Sequence, residues 1–188
     1  MNLEIIEKEI QDHIELASYL KEVLPSLIYK ASDHILNAIN NGNKVILFGN
    51  GGSASDAQHI AAEFTGRFVK ERKGLPAMAL TTDTSALTAI GNDYGFNFIF
   101  SRQVEAIAKS GDIIIGISTS GNSENVYSAI ELANKLGCFT ISFTGKDGGR
   151  IKTVSKLNIN INSPITARIQ EMHILVGHLI CSVVDNAS

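Results

Sequence analysis

The sequence predicts an α/β protein: a five-stranded parallel sheet flanked by helices, with a pair of helices in front of it. Three observations carry that reading. Five short runs are almost continuously apolar and rich in β-branched residues, as strands buried on both faces should be. Longer stretches with apolar faces at helical period separate them, and strands that alternate with helices pair in parallel. Residues 1–42 carry only the helical period.

The elements follow in chain order. Leu3, Ile6, Ile10, His13, Ala17, Leu20 and Leu24 recur at spacings of three and four, one face of a helix that stops at a turn at Pro25. Ser26 is the expected N-cap of a second helix, and Gly42 in NAINNGNK offers the left-handed position that ends it. The strands are KVILFG (44–49), AMALT (77–81), DIIIGIS (112–118), FTISFT (139–144) and LNINI (157–161). Helices are expected over 53–69, 97–109, 123–136 and 165–185. The stripe on the first helix is continuous over about three heptads, enough to seek another helix or the chain's own sheet, and His13 in its seam suits a polar interface. No repeat or linker interrupts the 188 residues, which fit one domain: helices over 1–42 and an α/β core over 43–188.

Composition narrows the function classes. Hydrophobic residues make up 44% and charged ones 19%, with 16 Lys+Arg against 19 Asp+Glu. That balance carries neither a disorder signature nor the basic excess of a nucleic-acid partner, so a phosphate would have to be held locally. Cys138 and Cys181 lie in apolar surroundings without metal-type spacing, which reads as buried free thiols in a reducing cytosol. The start, MNLEIIEKEIQDHIEL, lacks a basic n-region, and no apolar run reaches the ~18 residues of a membrane span. The expectation is a soluble cytoplasmic protein with no membrane partner.

In open parallel sheets ligands sit beyond the carboxyl ends of the strands, where loops enter helices whose free N–H groups attract anions. Two such loops stand out: GNGGS, Gly49 to Ser53, and STSGNS, Ser118 to Ser123. The second has four hydroxyls and a glycine among six residues, enough to enclose a phosphate without lysine or arginine; an ordinary serine-rich N-cap turn is the other reading. Gly49, Gly51 and Ala54 also match a dinucleotide fingerprint. The acid that should follow about 20 residues later is missing, Asp83 being the nearest and late. A P-loop is excluded, because no G-x-x-x-x-G-K-[ST] occurs.

His59 and Glu63 are four residues apart, on one helix face with Cβ atoms ~5–6 Å apart, which suits a shared metal, a coupled acid and base, or a surface contact. In ARIQEMHILVGHLI, Gln170 and His178 lie eight apart and share a broad face, with His173 between them. A histidine in so apolar a run also reads as a satisfied core residue.

GNGGSASDAQHIAAEFTGRF, IGNDYGFNFIFSRQVEA, GDIIIGISTSGNSENV, TGKDGG and ARIQEMHILVGHLI together resemble the phosphoheptose isomerase family of the sugar isomerase (SIS) domain class, over nearly the whole chain. The resemblance implies a flavodoxin-like or Rossmann-like fold and a homotetramer with active sites near subunit junctions. It implies sugar contacts from Asn50, Gly51, Gly52, Glu63, Asn92, Asp93 and Gln170, with Ser118, Thr119, Ser120 and Ser123 at the phosphate. It further implies a zinc site of His59, Glu63, Gln170 and His178, with Glu63 and His178 also acting as base and acid. Manganese or nickel stay open, since glutamine is an unusual zinc ligand. Ala167 stands where some members carry an aspartate that touches substrate, with Thr166 beside it.

The implied reaction moves a proton between C1 and C2 of a ketose through an enediol, converting sedoheptulose 7-phosphate into an aldoheptose phosphate. Two other classes fit the fold. A non-catalytic SIS protein that binds the replication initiator would keep the serine loop, but has no need of two converging helical pairs. A sugar-phosphate-sensing regulator would need a DNA-binding domain that this length does not hold.

Overall fold

The computed structural model describes residues 2–187. Two helices open the chain, α1 (Leu3–Val23) and α2 (Pro25–Asn40). The α2 start differs from the expectation. Leu24 precedes the helix and Pro25 is its first residue, which leaves Ser26 inside the first turn with no capping bond. Proline's fixed φ and missing N–H suit that first position. The far end is as read: Gly42 has φ 77°, and the N–H groups of Gly42 and Asn43 donate to the carbonyls of Ile39 and Ala38, both at 2.9 Å.

The core then alternates: β1 (Val45–Gly49), α3 (Gly52–Thr65), β2 (Ala77–Ala79), α4 (Thr84–Tyr94), a 3₁₀ turn at Phe96–Phe98, and α5 (Ser101–Ile107). After these come β3 (Ile113–Ser118), α6 (Glu124–Lys135), β4 (Phe139–Gly145), α7 (Gly149–Val154), β5 (Leu157–Ile161) and α8 (Thr166–Ala187). All pairings are parallel, in the order β2-β1-β3-β4-β5, the flavodoxin-like winding.

Alternate strand residues feed two cores. Val45, Leu47, Ile113, Ile115 and Phe143 pack with α2, α3 and α8 on one face, and Ile46, Phe48 and Ile114 with α5 and α6 on the other. Only the three inner strands are buried on both faces as expected. The edge strand β2 exposes Met78, and β5 places Asn158 against the hydroxyls of Ser142 and Thr144, each at 2.8 Å.

Four helices depart from the reading, among them the short α7, which was not expected. α3 stops at Thr65 rather than at residue 69, because Gly66 caps it. The 97–109 helix is broken into the 3₁₀ turn and α5. α4 was not expected, since Thr84, Thr88 and Gly91 are poor helix formers; its start is nevertheless marked by Asp83, whose carboxylate accepts from Ala86 N–H at 2.9 Å. The α1 stripe divides: Leu20 and Leu24 are buried on the chain's own core, while Leu3, Ile6 and Ile10 are 73%, 57% and 56% exposed. His13 in that seam meets Glu171 of α8 at 2.7 Å.

Candidate active site

β1 and β3 are sheet neighbours, yet α3 leaves β1 toward one face and α6 leaves β3 toward the other. Their loops open a crevice at the carboxyl ends of the strands. In the first loop Gly51 has φ 56°, a conformation that side chains resist, and α3 begins at Gly52 with no side-chain cap. Asn50 is held by a reciprocal amide pair with buried Asn125, 2.9 Å in each direction. Sequence reading passed over Asn125, although an asparagine in a helix's first turns signals a side chain with other work.

The second loop does not behave as a simple cap. Ser123 precedes α6 but makes no capping bond; its hydroxyl lies 2.9 Å from that of Ser118, which is 3.4 Å from Ser120 Oγ. Ser120 Oγ accepts from Asn122 N–H at 3.1 Å. The loop is braced from behind by the start of α7, which follows the TGKDGG turn: Ile151 N–H donates to the Gly121 carbonyl at 2.9 Å, and Arg150 N–H to Asn122 Oδ1 at 3.1 Å. Ser118 is buried, while Thr119 and Ser120 are half-buried at the rim. The result is a ring of hydroxyls satisfied mostly by one another, which an anion's oxygens can replace.

The α3 and α8 helices bring three of the expected ligands together. His59 Nε2 lies 3.0 Å from Glu63 Oε1 and 3.3 Å from His178 Nε2, and one ligand atom from each residue falls within 4.8 Å of the others. Two ligands about 2.05 Å from one tetrahedral zinc stand ~3.3 Å apart, so two imidazoles and a carboxylate at these separations fit such an ion. Close helix packing makes this possible, because a Cβ on Gly177 would lie 2.5 Å from Ile60 Cδ1.

Gln170 is placed differently. Its carboxamide lies against Gly52, where an added Cβ would stand 3.0 Å from Gln170 Cδ, about two helical turns from His178. His173 faces the core: it is fully buried, donates from Nε2 to the Thr144 carbonyl at 3.0 Å, and leaves Nδ1 unpartnered. Burial pushes its pKa down to about 4, against the smaller pull of that carbonyl. Cys181, one turn beyond His178, is a buried thiol pushed up to about 12 by burial, so it offers no thiolate to the trio. Asp56, one turn before His59, went unremarked in the sequence; burial lifts its carboxyl, and its Oδ2 has no partner.

Asn92 and Asp93 sit exposed on α4 and bond each other at 2.8 Å. Neither lines the 460 Å³ cavity between the first loop and α4, whose walls include Asn50, Gly51, Leu87, Thr88 and Phe96. Thr166 and Ala167 are exposed at the start of α8.

Helix N-termini with hydroxyls at a sheet switch point, joined to a histidine–carboxylate cluster, are what sugar-phosphate isomerisation asks of a site. Residues 10–145 match the SIS domain, and the chain belongs to that family. Within it the chain falls among the phosphoheptose isomerases. It is 57% identical to the phosphoheptose isomerase of a Nitratiruptor species over 98% of this chain and 99% of the relative. It is 55% identical to that of Aliarcobacter butzleri, over 95% of each. The solved phosphoheptose isomerase from Neisseria gonorrhoeae superposes with a TM-score of 0.93 at 44% identity, covering 98% of both chains. That from Francisella tularensis gives 0.95 at 37%, covering 99% of this chain and 100% of its own.

Proposed function

We propose that this protein converts sedoheptulose 7-phosphate into D-glycero-D-manno-heptose 7-phosphate, an aldose–ketose isomerisation that feeds ADP-heptose and the lipopolysaccharide core of bacteria. The observation that carries the reading is the meeting of His59, Glu63 and His178 within 4.8 Å on helices that border the two crevice loops. His59, Glu63 and His178 would hold a zinc ion, one per subunit, with Gln170 as the fourth ligand once its carboxamide turns from Gly52. Bound there, zinc would supply Lewis acidity toward the sugar's C1 and C2 oxygens.

The chain's own groups do the rest. Ser118, Thr119, Ser120 and Ser123 receive the phosphate with hydroxyls and the α6 amides. Asn50, Gly51, Gly52, Asn92, Asp93 and Gln170 are assigned to the sugar. One Glu63 carboxylate oxygen faces His59, which leaves the other for substrate. Glu63 takes the proton from C1, the C1–C2 enediol forms, and the protonated Glu63 carboxyl, after partial exchange with solvent, delivers a proton to C2; His178 moves the hydroxyl proton from the C1 oxygen to the C2 oxygen. The C2 carbonyl becomes a hydroxyl and C1 becomes the aldehyde, so atoms and charge balance.

The exposed apolar half of α1 supports a homotetramer, with Leu3, Ile6 and Ile10 covered by other copies. We read residues 1–188 as one SIS domain, helices over 1–42 and core over 43–188, in the cytoplasm. Among the described residues no helix is long and apolar enough to cross a membrane.

The test is direct. Purified protein mixed with sedoheptulose 7-phosphate in D₂O should yield the aldoheptose with deuterium at C2, and elemental analysis should find about one zinc per chain. Absence of any aldoheptose would sink the substrate assignment, and active protein free of metal would sink the zinc.

A further inference from the structure

We infer that Arg72 and Asp185 form a positioning pair that sets the distance between the helix carrying Glu63 and the helix carrying His178. The inference rests on reading His59, Glu63 and His178 as the metal and proton-transfer centre. Arg72 belongs to neither helix; it lies in the irregular segment between α3 and β2. Its Nε donates to Asp185 Oδ1 at 2.6 Å, its Nη2 to the backbone carbonyl of Glu63 at 2.9 Å, and its Nη1 to that of Phe64 at 3.0 Å. One planar guanidinium therefore joins a carboxylate on α8 to two of the last carbonyls of α3, groups that a helix end leaves without partners. A cation there also complements the α3 dipole.

The other Asp185 oxygen accepts from Lys70 N–H at 2.7 Å and Val69 N–H at 3.0 Å. Those donors, Lys70 first, and the Arg72 guanidinium hold the carboxylate below its usual range. The segment they pin also reaches the centre, for the Phe68 ring lies 5.7 Å from that of His178. The Arg72 and Asp185 side chains are 9% and 2% exposed, so water does not loosen the pair. Asp185 is two turns beyond His178, ~10.5 Å along α8, and Glu63 supplies one of the Arg72 acceptors itself. Ligand distances at a metal tolerate errors of only about 0.2 Å, so the clamp decides whether the three ligands close on one ion.

A second buried ion pair supplies the control. Lys44 and Asp112 meet at 2.5 Å at the amino ends of the strands, away from the centre. Full-length zinc-loaded protein should be compared as wild type, Asp185→Asn, Arg72→Lys and Asp112→Asn. Chelator competition gives the zinc affinity, the visible bands of cobalt-substituted protein report ligand geometry, and steady-state kinetics separate kcat from KM. Both clamp variants should bind zinc about tenfold or more weakly, the usual range for outer partners of a metal site. They should also shift the cobalt bands and lose kcat at a KM within about twofold of wild type. Asp112→Asn should lower thermal stability with wild-type zinc affinity and bands. Clamp variants with wild-type affinity and bands overturn the inference. Should Asp185→Asn not fold, Arg72→Lys carries the same measurements, since it keeps the charge. If wild-type protein turns over without zinc, the metal reading fails separately; the clamp then stands on a kcat loss at constant KM and falls on an unchanged kcat.

Discussion

The two ends of the central strands treat polar groups in opposite ways. At the amino ends of β1 and β3, Asp112 is fully buried and accepts four hydrogen bonds, from Lys44 Nζ at 2.5 Å, Lys109 N–H at 3.0 Å, Lys44 N–H at 3.1 Å and Asn43 Nδ2 at 3.2 Å. At the carboxyl ends, Ser118, Ser120 and Ser123 share their hydroxyls among themselves, and Thr119 and Ser120 stay half-buried. One end gains rigidity from complete pairing, the other retains capacity for a ligand's oxygens. The same sheet is thus pinned at one end so that the loops at the other need not be.

Four measurements break or sharpen that contrast, taken from the largest effect down. Glu63→Gln should lower kcat by roughly 10²–10⁴ and leave thermal stability near wild type, because it removes a proton acceptor and little packing. A variant that keeps its metal and turns over normally would make Glu63 a ligand only and His178 the base. Asp112→Ala should do the reverse, costing about 3 kcal/mol of stability by leaving the Lys44 ammonium beside an emptied site, with kcat/KM unchanged in denaturant-matched assays. A comparable loss of activity would erase the contrast between the ends.

His173 lies at the functional end but is buried, so it asks whether position or burial governs. Its pKa is about 4 folded against an ordinary 6.5, so between those values only the unfolded chain binds the proton. Stability should therefore be full above pH 6.5 and fall as pH drops toward 4, by roughly 3 kcal/mol at most from this group. His173→Leu should flatten that slope in pH-dependent thermal unfolding; an unaltered slope assigns it to carboxylates. The smallest effect is at the rim. Ser120→Ala or Ser123→Ala should raise KM for the sugar phosphate about tenfold, ~1.4 kcal/mol, with folding intact. Unchanged KM in both and in the double variant would place the phosphate elsewhere.

How much of this was legible depended on whether a residue's partners are near in sequence. Runs such as DIIIGIS and FTISFT declared buried parallel strands because burial on both faces leaves no polar position. The His59–Glu63 pair was legible because helical spacing alone sets it. The α4 helix was not, since its weak propensities are overridden by packing of Leu87 and Ile90 on the second core. Asn125, Arg72 and Asp185 were equally hidden: each takes its meaning from partners 75 or more residues away, or from backbone carbonyls that carry no sequence signal. Gln170 was read as a partner of His178, but a shared helical face says nothing of which way a flexible carboxamide turns.

The tight crossing of Gly177 on Ile60 gives α8 the mechanics of a beam on a fulcrum. His178 sits beside the pivot, while Gln170 and Asp185 lie seven and eight residues from Gly177 on opposite arms, ~10–12 Å each. A tilt of about 5° would displace either tip by ~1 Å in opposite senses and swing the His178 imidazole, ~5–6 Å off the helix axis, by ~0.5 Å, still beyond the ~0.2 Å that a metal ligand tolerates. The Gln170 arm is loaded from outside, by Arg168 donating to the Glu9 carboxylate at 2.8 Å and by Glu171 meeting His13. Strain applied through α1 would thus reach Gln170 as the larger displacement and His178 as the smaller swing. Paired spin labels beyond either tip should report opposite shifts in Glu9→Ala, and shifts of one sign would mean that the helix slides instead.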